Sequence, residues 1–115
     1  MGRQGRNRLL GVFRRHGDFA VAGAIAVLAG ETGGPIRRAS LTLFGIAEAP
    51  KRARDAEAVL VGRRVTADLI EEVAALCVAH ATLEDPFGSA EYRGHVAAAM
   101  AKSALSEASA ELDRQ

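Results

Sequence analysis

The feature that most constrains this chain is a cluster of turn formers, Gly30, Thr32, Gly33, Gly34 and Pro35, set between two apolar runs. The first run, Asp18 to Ala29, mixes Phe19, Val21, Ile25, Val27 and Leu28 with small residues. Periodicity alone does not separate a buried strand from a buried helix there. The second run, Ser40 to Ile46, alternates Leu41, Leu43 and Gly45 with Thr42, Phe44 and Ile46, which is strand spacing. Turn residues followed by a β-rich run make the pair a hairpin.

The remaining elements follow from punctuation. Residues 8 to 16 place Leu9, Leu10, Val12 and Phe13 among arginines, compatible with one or two helical turns ending at Gly17. Pro50 leads into a short extended piece, Lys51 to Ala53, a third strand. Asp55 opens a brief helix that stops at Gly62. Thr66 is placed to cap the next helix, whose inward stripe is Leu69, Val73, Leu76, Cys77 and His80. Glu84 to Gly88 breaks that helix, and Ser89 caps a last one carrying Tyr92, Val96, Ala99, Met100 and Ser103 at helical spacing. The predicted fold class is α+β: a small three-stranded antiparallel sheet packed against about three helices, strands first and helices second. The domain is expected over residues 9–115, behind a basic arm of residues 1–8.

Composition narrows the function classes. The 115 residues allow one modest core, and the aromatics are only Phe13, Phe19, Phe44, Phe87 and Tyr92. Formal net charge is +1, yet Arg3, Arg6, Arg8, Arg14 and Arg15 crowd the start, leaving the rest acidic on balance. That gives no broad field for nucleic acid. The longest apolar stretch, Phe19 to Ala29, is about half of a membrane-spanning helix. Cys77 is the one cysteine and has no internal disulfide partner, which fits a reducing cytoplasm. Cys77 and His80 lie three apart, but a structural zinc site takes four ligands, so core packing is the reading for both. There is no nucleophile elbow, Walker loop, paired CxxC or HExxH. Thr32, Gly33 and Gly34 lead into a strand and no helix, so they form a turn and not a phosphate cradle.

Ordered pieces along residues 9 to 110 carry a family resemblance. They are Arg14-Arg15-His16-Gly17-Asp18-Phe19-Ala20, Ala49-Pro50-Lys51-Arg52-Ala53, Leu60-Val61-Gly62 and Gly88-Ser89-Ala90-Glu91-Tyr92-Arg93. In this the chain resembles the C-terminal domain of the FAD-binding medium subunit of molybdenum hydroxylases, the carbon monoxide dehydrogenase flavoprotein type. Phe44, Glu48 and Gly94 depart from the common pattern, and Gly94 in a helix interior suggests a softer last helix.

The resemblance implies an oxidoreductase role in electron transfer through FAD. Members of this family pass electrons from a molybdenum large subunit through an iron–sulfur small subunit to FAD on the medium subunit. The medium subunit's C-terminal domain covers the isoalloxazine ring, while a separate FAD-binding domain, absent from this sequence, holds the pyrophosphate. The implied flavin contacts are Phe19 against the ring, Arg14 and Arg15 toward its carbonyl edge, and Asp18 orienting one arginine. The plain alternatives are a first core residue for Phe19, a solvated basic face for the arginines and a turn cap for Asp18. Catalytic and metal residues are expected to be absent, and FAD is expected only in assembly. Glu91, Tyr92 and Arg93 read as structural, with the Tyr92 ring buried. Two other classes compete: a stand-alone protein–protein interaction module, and a small nucleic-acid binder using the arginine arm. A homo-oligomer stays open.

Overall fold

A computed structural model describes residues 7–15 and 22–114. Its elements are β1 (Asn7–Arg15), β2 (Gly23–Glu31), β3 (Ile36–Phe44), β4 (Lys51–Arg52), α1 (Arg54–Leu60), α2 (Ala67–Val78) and α3 (Ala90–Asp113). The strands form one antiparallel sheet in the order β1-β2-β3-β4. The α+β class holds, but the sheet has four strands where the sequence suggested three.

The extra strand is the segment expected to be helical turns. Gly11 interrupts its apolar residues, and alternation along a strand lets each face find a use. Leu10 and Val12 pack against the core, while Leu9 and Phe13 stay exposed on the opposite face. The β2–β3 hairpin closes as predicted. Gly34 N donates to Glu31 O at 3.0 Å, and Gly33 has φ +72°, the region only glycine enters freely.

One face of the sheet is the core. Ala24, Ala26 and Leu28 of β2 and Leu41 and Leu43 of β3 are fully buried beneath the helices. The 24-residue α3, about 36 Å long, lies along β1 and β2. Its inward stripe is Arg93, Gly94, Ala97, Ala98, Ala101, Ala104, Leu105, Ala108 and Leu112. Tyr92, Val96, Ala99, Met100 and Ser103, though at helical spacing, are not this stripe; the smallest side chains turn inward and bring the helix close. Tyr92, expected to bury its ring, is instead 45% exposed. Gly94 is where α3 passes the end of α2, since a Cβ there would sit 2.6 Å from Val78 O. The glycine is a packing requirement and not a soft spot.

Both predicted caps form. Thr66 accepts from Leu69 N at 3.1 Å, and Ser89 accepts from Tyr92 N at 3.0 Å. On α2, Leu69, Val73 and Cys77 are buried, Leu76 is half-buried, and His80 falls just beyond the helix end.

The β3 side of the sheet is closed by more than β4. The Glu57 carboxylate is 6% exposed and accepts from Leu41 N at 2.8 Å, and Arg52 grips the same carboxylate at 2.7 and 2.9 Å. Near the start of β3, Gly62 N donates to Ile36 O, and Ile36 N donates to Arg63 O. This edge has no run of unpaired backbone left to offer.

Candidate functional site

Of the residues singled out from sequence, Asp18 and Phe19, with neighbouring His16, lie outside the described residues. Arg14 and Arg15 end β1, and strand alternation sends them to opposite faces. Arg14 turns to the helix side, where it pairs with Glu107 of α3 and donates to Phe13 O at 2.8 Å. Arg15 is exposed and shares the open face with Leu9 and Phe13. Only Arg15 of the two is therefore presented toward whatever covers that face.

The open face is unusually apolar for a surface. Leu9 is 67% exposed, Phe13 49% and Ile25 37%, with half-buried Val27, Ala29 and Phe44 between them. Phe44 lies across Gly23, where an added Cβ would come within 2.5 Å of its ring. The missing side chain lets Phe44 reach Phe13 and stack on it, centroids 5.3 Å apart and planes 13° from parallel. Toward the other end is a shallow depression of about 240 Å³ lined by Leu9, Val27, Ala29, Arg38, Ser40 and Arg52. The face is thus an apolar floor with a stacked aromatic pair near one end and arginines at its margins.

The same end of the sheet is braced from the helix side by a buried cation. Arg93, 5% exposed, donates to Gly45 O at 3.0 Å, to Gly88 O at 3.3 Å and to Asp85 Oδ1 at 2.6 Å. Asp85 also accepts from Phe87 N at 2.9 Å, and Asp85 and Gly88 exchange backbone hydrogen bonds at 3.1 Å. Partial burial works to raise the Asp85 pKa, but the hydrogen bonds from Arg93 and the backbone, with the Arg93 charge, outweigh it. The carboxyl is held below the usual range. This brace ties α3 to the exit of β3.

A second polar pair joins α1 to the end of α2. His80 Nε2 lies 2.8 Å from Asp55 Oδ1, and that hydrogen bond lowers the Asp55 pKa. Cys77 is fully buried and donates to Val73 O, and burial first, with the nearby Asp55 charge second, pushes its thiol up to about 12. Such a thiol is an inert core residue and no nucleophile. Gly33 N, in the glycine turn, donates to Asp113 at the end of α3, so the turn is occupied in bracing the fold.

The structure shows a Phe13–Phe44 stack that sequence reasoning missed, and it gives Arg93 the structural role expected of it. The stack was hidden because β1 was read as helix. Arg93 was read as structural, and the fold adds that its guanidinium is buried and which groups it reaches.

Residues 11–108 match the family described as CO dehydrogenase flavoprotein C-terminal domain. The chain is 40% identical over 98 residues to the caffeine dehydrogenase subunit beta of Pseudomonas sp. (strain CBB1), covering 84% of this chain and 33% of that protein. It is 37% identical over 98 residues to the carbon monoxide dehydrogenase medium chain of Afipia carboxidovorans, covering 84% of this chain and 34% of that protein. Among solved structures it resembles a chain of the cyanide-inactivated Cu,Mo-CO dehydrogenase, with TM-score 0.71 and 33% identity, covering 90% of this chain and 36% of that one. The chain therefore spans about a third of the length of these relatives.

Proposed function

The chain belongs to the CO dehydrogenase flavoprotein C-terminal domain family, and from that premise we propose that it is the flavin-covering part of a molybdenum hydroxylase medium subunit. In this reading it works with an FAD-binding domain, an iron–sulfur small subunit and a molybdenum large subunit. It supplies no catalytic side chain of its own. FAD, when bound in that assembly, provides the redox centre through which electrons leave.

The observation that carries the reading is the open sheet face, with its Phe13–Phe44 stack and the exposed Arg15. A flat, apolar, aromatic surface fits one side of a planar ring by excluding water without enclosing it. The exposed Arg15 fits the electron-rich edge of such a ring or its reduced, negative form. Among the described residues nothing comparable suits the pyrophosphate: the glycine turn is committed to Asp113 and leads into β3. The described residues therefore fit the ring side of FAD and not its phosphate side.

Phe19 would lie against the ring and Asp18 would orient an arginine. Arg14, held by Glu107, would act by fixing the end of β1 and not by direct contact. The division into a basic arm, residues 1–8, and a domain, residues 9–115, belongs to the same proposal, although Arg8 is already tied to the end of α3 through Arg114 O at 2.6 Å. No described helix is long and apolar enough to cross a membrane, and a cytoplasmic setting suits the free buried thiol. A second reading, a protein–protein interaction module that keeps the fold without flavin, draws support from the long edge of β1, which no further strand covers among the described residues.

The purified chain is expected to be colourless and to bind an FAD-loaded FAD-binding domain prepared separately from a relative. Binding is expected to shift the flavin absorbance and quench its fluorescence, and Phe19→Ala to reverse most of that change. Failure of the two proteins to bind, or a flavin spectrum indifferent to Phe19→Ala, would remove the basis for the flavin reading. Yellow protein purified alone would refute the claim that FAD needs the second domain.

A further inference from the structure

The two edges of the sheet are treated very differently. The β3 side is sealed by β4, by Glu57 on Leu41 N and by the Gly62–Arg63 segment on Ile36. The β1 side is nine residues long and pairs with β2 in unbroken register from Asn7–Glu31 to Arg15–Gly23. Among the described residues, no backbone hydrogen bond satisfies its outer side. A long, regular, apolar edge with no proline or bulge is a template for another strand.

The direction of the free groups follows from two contacts. The Arg14 carbonyl comes within 2.7 Å of the Cβ position of Gly23, so it points inward to β2. The Phe13 carbonyl is taken by the Arg14 guanidinium at 2.8 Å, so it points outward. In an antiparallel ladder both backbone groups of a residue point the same way, and the direction alternates along the strand. Leu9, Gly11, Phe13 and Arg15 therefore present their N–H and C=O groups to the outside. The side chains of Leu9 and Phe13 stand on the open face, 67% and 49% exposed.

The strand is also close to a palindrome. Arg8-Leu9-Leu10-Gly11-Val12-Phe13-Arg14 has the same residue classes in both directions about Gly11. A two-fold symmetric contact requires that pattern, because residue i meets j while j meets i. We propose that β1 pairs antiparallel with β1 of a second copy, centred on Gly11, to join two four-stranded sheets into one continuous sheet.

In that register Gly11 faces Gly11, and Leu9 of each copy faces Phe13 of the other. The outward backbone groups of both strands meet as hydrogen-bonded pairs, giving roughly six main-chain bonds between residues 9 and 13, in two of which the Phe13 carbonyl exchanges the Arg14 guanidinium for Leu9 N of the second copy. Each exposed leucine gains a phenylalanine directly opposite, so the two most exposed apolar side chains on β1 cover each other twice. Arg8 and Arg14 meet across the junction. Their like charge is tolerable because Arg14 already holds Glu107 and Arg8 already holds the Glu111 and Arg114 carbonyls. An extended peptide of unrelated sequence would use the same backbone groups but not the two-fold match of Leu9 with Phe13.

The test is the mass of the full chain across concentration, by light scattering and sedimentation. The expected result is a reversible rise from 12.1 kDa toward twice that mass as the chain approaches ~1 mM. Leu9→Glu, at a site exposed enough to leave folding intact, is expected to weaken the dimer at least ~10-fold while leaving the circular dichroism unchanged. Gly11→Cys tests register, since its Cβ would meet only Val27 Cγ2 at an ordinary 3.5 Å. Paired Gly11 positions would lie at roughly 5.5 Å between Cα atoms, within disulfide reach. Arg15→Cys is the control, its copies falling roughly 27 Å apart. A chain that stays monomeric throughout overturns the proposal, and so does a dimer unaffected by Leu9→Glu. Crosslinking of the Arg15→Cys variant as ready as that of the Gly11→Cys variant would show random collision and overturn it as well, whereas selective crosslinking of the Gly11→Cys variant supports it.

Discussion

Replacing Arg93 by alanine tests whether the brace between α3, the exit of β3 and the Asp85–Gly88 turn holds this end of the fold together. The guanidinium is 5% exposed and donates to a carboxylate and two backbone carbonyls contributed by separate segments. Its removal leaves Gly45 O and Gly88 O without that donor and the Asp85 carboxylate beside a void. Breaking a fully buried charge pair costs about 3–5 kcal/mol. The Asp85 side chain is 35% exposed, so water recovers part of the loss, and a destabilisation of about 3 kcal/mol is expected. Urea unfolding at neutral pH reads it directly as a lower midpoint at unchanged slope. The corresponding fall in Tm is about 10–15 °C. A double-mutant cycle with Asp85→Asn should return a coupling of about 1–2 kcal/mol, because the two groups share one short hydrogen bond. Arg93→Lys should recover only part of the loss, since an ammonium does not reproduce the planar fork. A loss below about 1 kcal/mol for Arg93→Ala, or additive behaviour with Asp85→Asn, would refute the brace.

Three further perturbations follow from the packing and the charges. Gly94→Ala should destabilise by about 1–2 kcal/mol in thermal unfolding despite alanine's better helix propensity, because the new Cβ meets the Val78 carbonyl at 2.6 Å; a gain in stability would show that α2 and α3 can separate freely. Glu57→Ala should cost about 2–4 kcal/mol by leaving Leu41 N unpaired at the sheet edge, and should raise aggregation on heating, read by light scattering; an unchanged urea midpoint would contradict the sealed edge. The folded-state pKa of Asp55 is lowered, chiefly by its hydrogen bond with His80. Its contribution is therefore complete above the unfolded value, about 3.9, and is lost as pH falls through the lower folded value. Urea midpoints of the parent chain and Asp55→Asn should keep a steady gap down to about pH 4 and converge below it; a gap that widens with acid would reverse the sign and discard the assignment.

Much of the architecture was legible because it rests on local chemistry. The hairpin was visible in the Gly33-Gly34 pair, of which Gly33 takes the positive φ that the tight turn demands, and the helix starts were visible in Thr66 and Ser89, whose hydroxyls accept the first free N–H groups. β1 was misread because Leu9, Leu10, Val12 and Phe13 carry no clear period, and only pairing with β2 decides between strand and helix for so short a run. The inward face of α3 was not legible for a related reason. In an alanine-rich helix, hydrophobicity hardly distinguishes one side from another, and contact with the sheet and with Val78 selects the smallest side chains.

By itself, the sequence determined the α+β class, the order of most elements, their caps and turns, and the resemblance carried by its ordered motifs. These depend on residues close together along the chain. Only the tertiary structure decided that Arg14 and Arg15 face opposite ways, that Phe44 crosses Gly23 to stack on Phe13, that Arg93 is buried, and that one sheet edge is sealed while the other is open. Each of those depends on which strand lies beside which and on how closely a helix approaches. They are set by long-range packing, to which no local pattern of residues gives direct access.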